Sequence, residues 1–145
     1  MPDAAISADI IAGFCGETEE QHQDTLSLME EVKYEFAYMF SYSERPKTLA
    51  ERKYEDDVPA EVKSRRLTEI VDAQRRHSEI RTKEGVGKVH RVLVENVSKK
   101  SAEMMSGRNS QNTVVVFPKG NLKKGDYVNV LATSCTSGTL IGHEI

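Results

Sequence analysis

Cysteine is scarce in this chain of 145 residues, and its two cysteines, Cys15 and Cys135, lie far apart. Neither has a partner at the spacing of a metal site, and two distant thiols do not indicate a disulfide framework. The four histidines are also dispersed, and no two of them fall four residues apart on one helical face. We therefore expect two reduced thiols and no metal site.

Long apolar runs are missing as well. No stretch approaches the roughly 20 residues that cross a bilayer, and the N-terminus has no basic segment followed by an apolar one. These absences predict a cytoplasmic protein without a membrane partner.

The segment from Lys88 to Glu144 is rich in β-branched residues and is interrupted by turn-forming glycine, asparagine and proline, which indicates short strands. The five strand-like stretches are KVHRVLVENVS, AEMMSGRN, NTVVVFP, DYVNVLATS and TLIGHE. A segment this short has few residues that could cover unpaired strand edges, and closure of the sheet removes those edges. We therefore expect a small closed barrel.

Charge is distributed unevenly along the chain. The residues from Glu84 to Ile145 carry a net charge of +3, whereas the residues before them carry −6. This asymmetry favours a polyanionic partner for the C-terminal part. Lysines that only keep a small barrel soluble would give the same pattern, so charge alone leaves both interpretations open. Tyr127 and Phe117 are the only aromatic residues of this part, and we expect Phe117 in the core, which predicts binding without stacking platforms.

The first half has the pattern of a strand, a helix and a second strand. ISADIIAGF resembles a buried parallel strand, and Thr18 with Gln21 three residues later forms a capping-box signature at the start of an amphipathic helix. The aromatic run from Tyr34 to Tyr42 then predicts a second strand, parallel to the first.

Two nearly all-apolar parallel strands need cover on both faces, and this chain lacks the strands and helices that would supply it. We therefore interpret residues 1–57 as the end of a larger α/β domain whose bare faces a second copy of the chain could cover. A linker helix is predicted over residues 58–84, with Asp57 as its cap and Gly85 at its end, and the barrel over residues 85–145.

Several tracts occur in an order that resembles the C-terminal third of the radical S-adenosylmethionine methylthiotransferases. They are ISADIIAGFCGETEE, YSERPKT, DDVPAEVKSRRL, VLVENVSKKSAEMMSGRNSQNTVVVFP and TLIGHE, and together they cover nearly the whole chain. The last part resembles the TRAM domain, a five-stranded RNA-binding barrel. The resemblance implies an α/β plus all-β fold, with the end of a radical S-adenosylmethionine barrel followed by the linker helix and the TRAM barrel.

Two subfamilies compete, the MiaB type, which methylthiolates isopentenylated adenosine next to the tRNA anticodon, and the RimO type, which modifies a ribosomal protein. The tract from Gly107 and Arg108 through Asn112 to Phe117 is similar to the MiaB type, as is the tract from Tyr42 to Pro46. The acidic stretch usual in the RimO type is absent, so the MiaB type is the closer match. A free-standing RNA-binding adaptor with a TRAM barrel is the alternative of a different class.

The family uses S-adenosylmethionine and two four-iron four-sulfur clusters held by cysteines that this chain lacks. The resemblance therefore implies no catalytic residue, no metal and no bound cofactor in this segment alone, which we expect to be inactive. It places Asp9, Ile11, Gly13 and Arg45 beside the cofactor of the complete enzyme. The residues themselves leave two alternatives open, since Gly13 could serve only a tight turn and Arg45 only a salt bridge.

The resemblance also implies that the barrel binds the anticodon arm of tRNA. The residues that we expect to contact RNA are Lys88, Lys99, Lys100, Arg108, Asn109, Lys119, Lys123 and Lys124. Most of them are cationic residues in turns, so phosphate contacts should supply most of the affinity.

Overall fold

A computed structural model of the protein describes residues 4–145. The chain divides into one compact unit formed by Ile6–His77 and another that contains Ser78–Ile145. Within the described residues 4–145, no helix is long and apolar enough to cross a membrane. The boundary between the two units falls between His77 and Ser78, inside a helix. The predicted domain bounds at residues 57 and 84 stay a prediction.

The first unit contains the predicted strand, helix and strand. Its elements are β1 (Ser7–Ala12), α1 (Glu19–Val32), β2 (Phe36–Ser41), α2 (Leu49–Lys53) and most of α3, which spans Ala60–Glu84. The two strands pair in parallel, with Ser7 opposite Phe36 and Ala12 opposite Ser41. The parallel arrangement is as predicted, whereas α2 was not predicted.

The predicted capping box at the start of α1 is present. The hydroxyl of Thr18 accepts a hydrogen bond from the backbone N–H of Gln21 at 3.2 Å, and Gln21 Oε1 accepts one from the backbone N–H of Thr18 at 3.0 Å. Two donors that the helix cannot satisfy internally are thus paired, so the sequence itself determines where α1 begins.

The sheet of the first unit is covered on one face only. Helices α1 and α3 contribute Met29, Ile70 and Ala73 to a buried cluster that also contains Ala12 of β1. On the other face, Ile11, Tyr38 and Phe40 are 53%, 61% and 56% exposed. This bare apolar face is what the sequence predicted for two parallel strands without neighbours.

Asp57 does not cap α3, contrary to expectation. Its carboxylate accepts a hydrogen bond from the backbone N–H of Gly16 at 2.7 Å, and α3 begins only at Ala60. Later residues of α3 also pack within the first unit. Gln74 Nε2 donates to the carbonyl of Tyr34 at 2.8 Å, and fully buried His77 lies 3.1 Å from a carboxylate oxygen of Glu30.

The second unit contains the five predicted strands. They are β3 (Val89–Val97), β4 (Met104–Arg108), β5 (Val114–Pro118), β6 (Tyr127–Cys135) and β7 (Thr139–Glu144). They close into a barrel in the order β3-β4-β5-β7-β6, with β5 and β7 parallel and the other pairs antiparallel. The prediction of a five-stranded closed barrel is confirmed, and closure leaves no strand edge for aggregation.

Alternate residues of these strands point into the barrel. The buried core consists of Val92, Val94, Met105, Val115, Phe117, Val128, Val130, Ala132 and Leu140. Phe117 is fully buried, as expected. Two glycines allow neighbouring strands to approach closely, because a Cβ on Gly107 or Gly142 would lie 2.1 Å from the carbonyl oxygen of Leu93 or Leu131.

Candidate nucleic-acid interface

One end of the barrel collects most of the predicted RNA-binding lysines. The turn between β3 and β4 and the turn between β5 and β6 both lie at this end, because these strand pairs run antiparallel around the barrel. The backbone N–H of Lys119 donates to the carbonyl of Glu103 at 2.8 Å and so joins the two turns. The exposed lysines of this lysine end are Lys99, Lys100, Lys119, Lys123 and Lys124.

Hydrogen bonds within the second turn hold part of the lysine end in place. The carboxylate of Asp126 accepts from the backbone N–H of Lys123 at 2.8 Å, and Leu122 N–H donates to the carbonyl of Lys119 at 3.2 Å. Lys119 and Lys123 therefore extend from an ordered turn, and both are exposed.

The other three predicted residues lie away from the lysine end. Lys88 precedes β3, and Arg108 ends β4 at the opposite end of the barrel. Arg108 donates through Nη1 to the carbonyl of Asn112 at 2.8 Å and to its side-chain oxygen at 3.2 Å, and its Nε lies 3.7 Å from Glu95. Arg108 thus braces the loop between β4 and β5 and remains 43% exposed.

Asn109 has a structural role that the sequence did not indicate. It is only 8% exposed, and its Oδ1 accepts hydrogen bonds from the backbone N–H groups of Gln111 and Thr113 at 3.1 and 2.9 Å. Its amide nitrogen lies 3.1 Å from Nδ1 of His90, whose Nε2 lies 2.8 Å from the carbonyl of Gly85. With both ends of its amide engaged inside the protein, Asn109 shapes the loop rather than extending from it.

A second exposed feature lies on the outer face of β4, β3 and β6. Tyr127, the first residue of β6, is 60% exposed, and the guanidinium carbon of Arg91 lies 4.4 Å from the centre of its ring. Leu93 is opposite both Tyr127 and Arg108, so these three residues form one row across three strands. The sequence predicted RNA binding without stacking platforms, and with the ring of Tyr127 exposed this stays a prediction.

The predicted cofactor residues all lie in the first unit. Asp9 and Ile11 belong to the bare face of the sheet, where they are opposite Tyr38 and Phe40. Arg45 lies in the loop after β2, and its carbonyl accepts from the hydroxyl of Thr48 at 2.8 Å while its side chain is exposed.

Gly13 has close neighbours within the first unit, while its place beside a cofactor stays a prediction. It is buried, its N–H donates to Glu17 Oε1 at 3.1 Å, and a Cβ at this position would lie 2.4 Å from Cγ of Lys63. The close approach is made by Lys63, and the φ of +74° requires a left-handed conformation. These contacts favour the alternative in which Gly13 serves a tight turn.

Lys63 organises the polar cluster at this turn. Its ammonium lies 2.5 Å from Asp56, 3.4 Å from the carbonyl of Tyr42 and 5.2 Å from the centre of the Tyr42 ring. The neighbouring Cys15 thiol, together with desolvation, raises the pKa of Tyr42 to about 12. Cys15 thus contacts a tyrosine within its own unit.

One group in the first unit has the composition of a metal site. The ligand atoms of Glu19, His22 and Glu69 lie within 4.8 Å of one another. However, a carboxylate oxygen of Glu19 lies 2.6 Å from a guanidinium nitrogen of Arg65. The carboxylate oxygens of Glu69 lie 2.7 Å from Arg65 and 2.6 Å from Nε2 of His22. The Arg65 hydrogen bond holds the pKa of Glu19 near 2. The carboxylates are already neutralised, so the group acts as an ion-pair connection between α1 and α3.

Comparison with known proteins identifies the barrel. The family model described as TRAM domain matches residues 83–144. We refer to the matched residues 83–144 as the TRAM domain. This result agrees with the closed five-stranded architecture.

Relatives named tRNA-2-methylthio-N(6)-dimethylallyladenosine synthase match both units. The protein from Flavobacterium johnsoniae is 64% identical over 145 residues, covering 100% of this chain and 30% of the relative. The protein from Amoebophilus asiaticus is 65% identical over 140 residues, covering 97% and 29%. The protein from Bacteroides thetaiotaomicron is 50% identical over 145 residues, covering 100% and 32%. The resemblance to MiaB-type synthases is confirmed, and the chain spans about 30% of their length.

The residues of this chain do not fit an iron–sulfur cluster. Cys15 lies in the first unit and Cys135 in the unit with the TRAM domain, and both are free thiols. A cluster needs several thiolates that converge on it, and neither unit has a second cysteine.

The contact between Arg91 and Tyr127 on the outer face of the barrel was not predicted from the sequence. The signal that could have found them is the two-residue period of the strands. Since Val92 and Val128 point inward, Arg91 and Tyr127 must point outward, but only the strand register shows that they meet.

Proposed function

We propose that this chain is the C-terminal part of a tRNA methylthiotransferase and that its TRAM domain binds the anticodon arm of tRNA. The complete enzyme would add a methylthio group to isopentenylated adenosine next to the anticodon. The observation that supports this most strongly is the identity of 64% over the whole chain to a synthase of that name, which covers both units rather than the barrel alone.

The first unit supports the same proposal. Its bare sheet face fits the end of a radical S-adenosylmethionine barrel. In the complete barrel, further strands would pair beside β1 and β2 and so continue the sheet. Asp9 and Ile11 of this face and Arg45 of the following loop would line the S-adenosylmethionine site of the complete enzyme, with Gly13 shaping the turn behind it. The two four-iron four-sulfur clusters would be bound by segments outside this chain.

No observation favours the other candidates. A free-standing RNA-binding adaptor would need only the barrel, whereas the relatives match the first unit as well. The relatives that we compared carry the name of the tRNA enzyme and not that of a RimO-type enzyme.

The RNA-binding part of the proposal can be tested by titration of the 145-residue chain. An anticodon stem-loop should bind more tightly than an RNA duplex of equal charge, because a partly single-stranded target offers bases as well as phosphates. If about four phosphates are neutralised, the logarithm of the association constant should fall with the logarithm of salt concentration with a slope of roughly −3 to −4.

Matched variants locate the contact. The double change Lys123→Ala and Lys124→Ala should make the slope shallower by about two units if both lysines hold phosphate. Lys53→Ala removes an exposed lysine of α2 in the first unit and should leave the slope unchanged. Equal affinity for both RNAs, or binding that does not depend on salt, would contradict tRNA binding by this domain.

The cofactor part has its own test. After anaerobic reconstitution with iron and sulfide, the chain should retain no cluster, because Cys15 and Cys135 cannot supply three converging thiolates. Stoichiometric iron with the visible absorbance of a cluster would contradict this expectation.

A further inference from the structure

The outer face of the TRAM domain carries an exposed aromatic side chain that the core does not need. Tyr127 is 60% exposed, while the next inward residues of β6, Val128 and Val130, are 5% and 0% exposed and fill the barrel. An exposed aromatic ring offers a flat apolar surface with a polar hydroxyl at its edge, which suits contact with a ligand.

The position of this ring is fixed by the backbone around it. Tyr127 is opposite Leu93 in the pairing of β3 and β6. Just before it, Gly125 N–H donates to the carbonyl of Val94 at 2.8 Å, and Val94 N–H donates to the carbonyl of Asp126 at 2.9 Å. The turn that leads into β6 is therefore tied to β3, and the ring extends from a rigid base.

Arg91 completes the feature. Its guanidinium carbon lies 4.4 Å from the centre of the Tyr127 ring, and Arg91 is itself exposed. A guanidinium on one side of a ring adds positive charge and a second flat surface, while the other side of the ring stays accessible. Arg108 of β4 is opposite Leu93 on the other side of β3, so a second cationic residue belongs to the same outer face.

We propose that Tyr127 and Arg91 form a stacking site for an unpaired nucleotide base of the bound RNA. This inference rests on the proposed RNA-binding function and specifies which part of the RNA the outer face recognises. The base stacks on the open side of Tyr127, and Arg91 supports the ring and attracts the adjoining phosphate. Since every base has a flat π surface, the site selects single-stranded RNA without selecting a sequence.

The site differs in kind from the lysine end. The lysines would bind phosphates of any RNA, and their contribution would weaken with salt. Stacking on Tyr127 depends on the base and is nearly independent of salt, so the two contributions can be separated in one titration series.

The test uses two oligonucleotides of equal length and charge, a single-stranded RNA and an abasic strand with the same sugar-phosphate backbone. Tyr127→Ala in the full chain should weaken binding of the RNA by about 5-fold to 150-fold, the range for loss of one stacked base. It should leave binding of the abasic strand and the salt slope unchanged. Tyr127→Phe keeps the ring and should retain at least most of the affinity.

A matched control and a direct readout complete the design. Val89→Ala shortens another exposed apolar side chain of the barrel, which is 54% exposed, and should change neither affinity. Because the chain has no tryptophan, Tyr127→Trp introduces a single indole emitter. Its fluorescence should be quenched by the RNA and not by the abasic strand.

The outcomes separate this inference from the function on which it rests. If wild-type protein binds RNA with the expected salt slope but Tyr127→Ala binds as tightly, the stacking site is wrong and tRNA binding stands. If Tyr127→Ala weakens both strands equally, Tyr127 has only a structural role and the site is again wrong. If wild-type protein binds neither strand, the proposed function itself fails.

Discussion

Gly107→Ala should destabilise the TRAM domain strongly, although it adds only one methyl group. Gly107 lies in β4 opposite Val94. A Cβ at this position would lie 2.1 Å from the carbonyl oxygen of Leu93 and 2.7 Å from Cγ1 of Val92. The nearest of these atoms is part of the backbone of β3, so no change of side-chain rotamer can relieve the clash, and the pairing of β3 with β4 must shift.

The expected loss follows from this geometry. Overpacking a core costs about 1–3 kcal/mol, and contact with a paired backbone should place this substitution at about 3 kcal/mol. For a domain of this size each kcal/mol corresponds to about 4–8 °C, so the melting temperature of the barrel should fall by roughly 12–24 °C. Gly138→Ala is the matched control, because no atom lies within 4 Å of its Cβ position. We expect that change to be neutral or to stabilise by up to about 1 kcal/mol.

Hydrogen exchange measured by NMR on the amides of β3 and β4 reports the opening free energy of the barrel without interference from the first unit. Thermal unfolding followed by circular dichroism gives the corresponding melting temperature. A Gly107→Ala protein with the exchange rates and melting temperature of Gly138→Ala would refute the close-approach argument.

Three further predictions concern the first unit. Thr18→Ala should lower the free energy of unfolding by about 0.5–2 kcal/mol because the helix cap is lost. Thr25→Ala inside α1 should be nearly neutral, and urea unfolding of both variants measures the difference. The folded pKa of Glu19, about 2, lies below its ordinary 4.5 because of Arg65. Its stabilisation should therefore be present above about pH 4.5 and be lost as pH falls toward 2. In the Glu19→Gln variant, the melting temperature should depend less on pH between about pH 4.5 and pH 2. Asp56→Ala leaves buried Lys63 without its 2.5 Å partner and should cost about 1–3 kcal/mol in urea unfolding, with exposed Glu55→Ala as a near-neutral control.

Local sequence signals were sufficient for most of the secondary structure. The five barrel strands were predictable because β-branched runs alternate with turn residues over a few positions. The start of α1 was predictable because Thr18 and Gln21 are only three residues apart. Both patterns involve residues that are only a few positions apart in the sequence.

Long-range contacts explain what could not be predicted. Asp57 looked like a helix cap, but it bonds the backbone of Gly16, 41 residues away. A Cβ at Gly13 would lie 2.4 Å from Cγ of Lys63 in α3, a neighbour 50 residues away. Both contacts depend on how α3 packs in the first unit, and nothing in the sequence near Gly13 or Asp57 indicates that packing.

The tract Gly107-Arg108-Asn109 shows why adjacent motif residues need separate tests. Gly107 permits close strand approach, Asn109 shapes the following loop, and only Arg108 extends into solvent, where it also braces Asn112. Weaker RNA binding by Arg108→Ala would therefore not show by itself that Arg108 contacts RNA. A lost phosphate contact should make the salt slope shallower by about one unit, whereas a disturbed loop lowers affinity without that change. The salt slope is thus the measurement that assigns Arg108 to the interface or to the loop.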